Sequence, residues 1–141
     1  MDLYREDVMD HYEHPRNQGE LAGPDVISER DSNASCGDMV QFYFKINNGV
    51  IVEVKWKGIG CAITTAAASK LSEYLQGKTL KELKAMSEEE LVKKGVGFEV
   101  NPGRIKCLML PIKVVKKLVS WKVPEFYLPL YQITVGRLLK S

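Results

Sequence analysis

The chain has 141 residues, 45% hydrophobic and 27% charged, with a formal net charge of +2. That length supports one domain with a core of its own, and that composition excludes wholesale disorder, a collagen repeat and a whole-chain coiled coil. With 20 Lys and Arg against 18 Asp and Glu, the charge is too balanced for nucleic acid, and no apolar run reaches the ~18 residues of a membrane span.

In chain order, the opening Met1-Asp2-Leu3-Tyr4-Arg5-Glu6-Asp7 is acidic, unlike a signal peptide. Leu3, Tyr4, Val8 and Tyr12 recur at helical spacing, and Pro15 stops that helix. Residues 17–24 read as loop. Val26–Arg30 is a candidate strand. Val40, Phe42, Phe44 and Ile46 alternate with polar neighbours, and Val50, Val52, Val54 and Trp56 do so again after Asn48-Gly49, a hairpin signal. Phe42, Phe44 and Trp56 are expected in the core. Gly58 and Gly60 should end that strand.

Ala62–Leu75 then reads as a helix rich in small residues, with Gly77 as its C-terminal cap. Thr79–Met86 and Ser87–Lys94 each begin with a capping-box pattern, and Gly95 to Gly103 mark a loop. A further helix, Leu108–Trp121, should start near Cys107 or Leu108, which puts Pro111 in its first turn. A last short helix is expected over Leu130–Lys140. Lys113, Lys116, Lys117 and Lys122, like Glu88-Glu89-Glu90, are expected on solvated helix faces. Helix, strands and then helices make the class α+β, a small, about three-stranded antiparallel sheet with helices packed on it.

The three cysteines decide the chemistry. An odd count with no leader points to reduced thiols and a cytoplasmic location. Cys36, Cys61 and Cys107 are 25 and 46 residues apart, so spacing alone leaves three unrelated buried thiols open. Each, however, falls at an element boundary. Cys61 and Cys107 stand at expected helix N-termini, which favour a thiolate, and Arg104 and Lys106 should add to that at Cys107. Gly37 and Gly60 beside two of the sulfurs allow close approach. Asp38 would oppose a thiolate at Cys36, but a cation between them reverses that logic. Three thiolates and one carboxylate make a four-coordinate set for a borderline or soft metal. A thiol enzyme with His11 or His14 as base lacks a third group to orient the imidazole, and both histidines are expected at the surface.

Asn33-Ala34-Ser35-Cys36-Gly37-Asp38, Gly60-Cys61-Ala62-Ile63-Thr64 and Arg104-Ile105-Lys106-Cys107 resemble, in order, the three cysteine motifs of the U-type iron–sulfur cluster assembly scaffolds, the family of IscU, SufU and the N-terminal domain of NifU. Ala34 replaces a proline of the first motif. Asp10-His11-Tyr12-Glu13-His14-Pro15-Arg16-Asn17 is similar to that family's opening. The resemblance runs from about Leu3 to about Trp121. Lys106 stands where the IscU branch has a histidine, as in the SufU branch, which leaves Asp38 as the fourth ligand. Val100-Asn101-Pro102-Gly103-Arg104 differs from the chaperone-recognition segment of the IscU branch, and the SufU insertion between the second and third cysteines has no room here.

The resemblance implies a non-enzymatic scaffold. Cys36, Cys61, Cys107 and Asp38 would hold a transient iron–sulfur cluster, with zinc as the competing metal. Sulfur would come from a cysteine desulfurase, and the cluster would pass to apo acceptor proteins. The competing reading is a zinc-dependent sulfur relay for the desulfurase. Thr64 and Ser35 would donate hydrogen bonds to cluster sulfurs. Tyr12, Arg16 and Asn17 would meet the desulfurase from a mobile segment, residues 1–20. A homo-oligomer is compatible with this reading; nucleic acid and membrane partners are not expected. Residues 1–141 are taken as one domain, with 122–141 an unmatched extension.

Overall fold

A computed structural model describes residues 3–33 and 37–121. Cys36, Ser35, the helix expected over Leu130–Lys140 and the 122–141 extension lie outside the described residues. Helix α1 (Leu3–Glu13) precedes strands β1 (Val26–Asn33), β2 (Asp38–Asn47) and β3 (Val50–Ile59). Then come α2 (Ala62–Leu75), α3 (Leu80–Ala85), the short α4 (Glu88–Glu90) and α5 (Ile105–Trp121). The described strands form one antiparallel sheet in the order β1-β2-β3. This is the expected α+β class.

The β2–β3 hairpin turns on Asn48 (φ 54°) and Gly49 (φ 77°), the left-handed pair that a two-residue turn with matching twist requires. Its apolar residues pair across the strands on one face: Phe42 opposite Trp56 and Phe44 opposite Val54, all buried. The expected alternation holds along β2 but breaks in β3. Lys45 pairs with Glu53 and Ile46 with Ile51, so Val52 is an extra residue with no partner. This bulge reverses the side-chain phase: Ile51 is fully buried and Val52 is 46% exposed. Gly58 does not end the strand. It pairs with Val40, and a Cβ there would meet the Met39 carbonyl oxygen at 2.3 Å, so glycine is what lets β3 continue to Ile59.

Against the sheet lie α2 and α5. Ala66, Ala67 and Ala68 are all fully buried because α2 is wrapped by the sheet, α1 and α5. The expected capping boxes are present: Thr79 with Glu82 and Ser87 with Glu90. Gly77 (φ +90°) follows the last residue of the α2 cap. The segment after α4 was expected to turn to loop at Gly95. Instead a π-helical stretch, Leu91–Val96, continues to Gly97 (φ 78°), because Gly95 sits where a Cβ would meet Leu71 at 2.8 Å. Lys116 is not merely solvated: its Nζ donates to the carbonyls of Lys84 and Met86 at the end of α3.

Two further sequence expectations fail here. His11 is buried, with Nδ1 2.7 Å from the Ser69 hydroxyl of α2, whereas His14 is exposed as expected. Pro111 is the seventh residue of α5, which begins at Ile105 after a 3₁₀ turn, Pro102–Arg104, and so lies well inside the helix.

The outer edge of β3 is covered at Trp56 and at Ile51. Trp56 N–H donates to the Asn17 carbonyl, Gly19 N–H to the Trp56 carbonyl, and Trp56 Nε1 to the Arg16 carbonyl. Farther along, Gly77 N–H donates to the Ile51 carbonyl and Ile51 N–H to the Lys78 carbonyl. Covered edges do not recruit foreign strands.

Candidate metal centre

The site forms at one end of the sheet, where three elements begin. Asp38 is the first residue of β2, Cys61 is the N-cap of α2 immediately after β3, and Cys107 lies in the first turn of α5. One ligand atom from each of Asp38, Cys61 and Cys107 lies within 4.8 Å of the others. A tetrahedral zinc with bonds of ~2.3 Å to sulfur and ~2.0 Å to oxygen sets ligand atoms roughly 3.5–3.8 Å apart, so a small inward movement closes the set on one ion. The donor chemistry fits such a group. Cys36 precedes Asp38 by two residues in the sequence.

Local sequence explains the convergence. A Cβ on Gly60 would meet Thr64 Cβ and Cγ2 at 2.9 Å and Asp38 Cγ at 3.2 Å, so a bare backbone there admits both side chains. Gly37 acts differently from expectation. Its Cβ would meet nothing, but its φ of +75° sets the turn into β2. Asn33 Nδ2 donates to the Lys106 carbonyl at 3.2 Å, tying the end of β1 to the start of α5.

The two described thiols are electrostatically unequal. Burial disfavours the Cys61 thiolate, but the amides of Thr64 and Ile63 at the open turn of α2, the Cys107 thiol and the Thr64 hydroxyl outweigh it and lower its pKa. Burial raises Cys107, and the neighbouring Cys61 and the charge of Asp38 raise it further, to about 11. The expected stabilisation of a Cys107 thiolate by Arg104 and Lys106 therefore fails; both cations are exposed. A cation would relieve the repulsion that holds the proton on Cys107.

Thr64 is 1% exposed, and its hydroxyl donates to Asp38 Oδ2 at 2.6 Å, with Cys61 Sγ at 3.7 Å. The sequence pointed this hydroxyl at sulfur; its shortest bond goes to the carboxylate.

The NifU-like N-terminal domain family model matches residues 3–121. The iron–sulfur cluster assembly scaffold protein IscU of Haemophilus influenzae is 32% identical over 126 residues, covering 83% of this chain and 93% of that one. The zinc-dependent sulfurtransferase SufU of Bacillus subtilis is 31% identical, covering 87% of each. A solved structure described as an iron–sulfur cluster assembly scaffold for the SUF system of Fervidobacterium islandicum superposes with a TM-score of 0.65 at 28% identity, covering 82% of this chain and 95% of that one. Fold, motif order and relatives agree: the chain belongs to the NifU-like N-terminal domain family.

Proposed function

We propose that this chain is a scaffold on which an iron–sulfur cluster is assembled and from which it is handed to apo acceptor proteins. Cys36, Cys61, Cys107 and Asp38 hold the cargo, and a cysteine desulfurase supplies the sulfur. The observation that carries this reading is the gathering of Asp38, Cys61 and Cys107 at one end of the sheet from positions 23 and 46 residues apart. Relatives named as cluster assembly scaffolds, at 32% identity over most of the chain, support it.

Of the two described thiols, Cys61 is the better sulfur acceptor near neutral pH, since thiolate is the attacking form. Asp38 suits a cargo that must leave, because a hard carboxylate oxygen binds cluster iron less firmly than a fourth thiolate. The second reading, a zinc-dependent sulfur relay, draws on the SufU relative and on a Cys₃Asp set that zinc accepts equally well.

Anaerobic incubation of the full chain with ferrous iron, cysteine and a cysteine desulfurase tests the first reading. A brown product with charge-transfer bands, passed on to an apo-ferredoxin, is expected. A colourless chain that keeps one equivalent of zinc throughout would overturn the scaffold reading in favour of the relay.

A further inference from the structure

The hydroxyl of Thr64 touches every described member of the candidate site, although Thr64 itself belongs to no ligand set. It bonds the Asp38 carboxylate at 2.6 Å, reaches the Cys107 main-chain carbonyl at 3.3 Å and lies 3.7 Å from Cys61 Sγ. The contact with Cys107 has a cause in the sequence. In an α-helix the amide of residue 111 would donate to the carbonyl of residue 107, but residue 111 is proline and has no N–H. The Cys107 carbonyl therefore lacks that partner, and the Thr64 hydroxyl faces it.

A hydroxyl carries one hydrogen. At 2.6 Å against 3.3 Å, and with a carboxylate as the shorter acceptor, that hydrogen points to Asp38. One carboxylate oxygen is thereby held, and the other is left for an ion. The threonine methyl is wedged against Gly60, where no Cβ could fit, so the hydroxyl has little freedom to turn away. When an ion draws on the carboxylate, the Cys107 carbonyl is a second acceptor for the same hydrogen.

We propose that Thr64 is a positioning residue for Asp38, fastening β2 to α2 at the site through one hydroxyl, with the Cys107 carbonyl of α5, left open by Pro111, as the alternative acceptor. This rests on Asp38 being a ligand, as the proposed function has it. Groups that hydrogen-bond a metal-binding carboxylate orient it, and their loss costs tenfold or more in affinity.

The test is a zinc-affinity cycle on the full chain, with zinc alone as probe and a chromophoric chelator as competitor. Thr64→Val should weaken zinc about tenfold, Thr64→Ser should stay near the parent, and Thr64→Val should add nothing once Asp38→Ala is present. Circular dichroism checks the fold of each variant, and Thr64→Ala replaces Thr64→Val if the latter does not fold. Equal weakening in both backgrounds would overturn the proposal, because the hydroxyl would then act without Asp38. No weakening by Thr64→Val beside a weakened Asp38→Ala would overturn this role alone. An Asp38→Ala variant that binds zinc like the parent would overturn the ligand set and this role with it.

Discussion

Cys61 and Cys107 are neighbours in space but not equals in chemistry. The open end of α2 favours an anion at Cys61, while burial, Cys61 and the charge of Asp38 hold the proton on Cys107. In the metal-free chain, iodoacetamide between pH 7 and 9 should therefore modify Cys61 well before Cys107. Labelling of Cys107 should rise only as the pH approaches about 11. Peptide mass mapping reads both sites; equal labelling at pH 8 would contradict the asymmetry. At this scale the sequence was informative about identity and poor about environment. Cys61, Cys107 and Asp38 could be nominated because each stands where an element begins. That Thr64 would face Asp38 across 26 residues, or that Arg104 and Lys106 would point to water, depends on how three elements meet.

Among the elements, α1 is held to α2 by a buried polar joint. His11 Nδ1 meets Ser69 Oγ at 2.7 Å, the Arg16 amide donates to the same hydroxyl, and Asn17 Nδ2 donates to Ser72 Oγ. Burial and the charges of Arg16 and Lys70 lower the His11 pKa, against Asp7 and Glu73, which raise it. A histidine lowered in the folded chain is more readily protonated when unfolded. Its contribution is thus present above the unfolded value of about 6.5 and is lost as pH falls below it. Urea midpoints of the full chain should fall between pH 7 and 5, and His11→Asn should flatten that slope; an unchanged slope would remove His11 as the cause. The sequence placed α1, the hairpin and α2 correctly because periodicity and the Asn48-Gly49 turn are local signals. It misplaced the face of Val52, the end of β3 and the start of α5. A bulge, a strand glycine and a mid-helix proline are settled by partners across the sheet and beside the helix.

On the scale of the whole molecule, the sheet edge at β3 is closed by residues 16–19 and 77–80, and α2 and α5 cover one face. The starts of β2, α2 and α5 come together at one end, and Asp38, Cys61 and Cys107 cluster there. Three of the four proposed donors lie there, carried by three different elements. Among the described residues no helix is long and apolar enough to cross a membrane.

The most direct test is zinc K-edge X-ray absorption on the full chain loaded with one equivalent of zinc. Convergence of Cys36, Asp38, Cys61 and Cys107 on a single ion predicts three sulfur neighbours at ~2.3 Å and one oxygen at ~2.0 Å. A shell made only of nitrogen and oxygen, or one with fewer than three sulfurs, would contradict it.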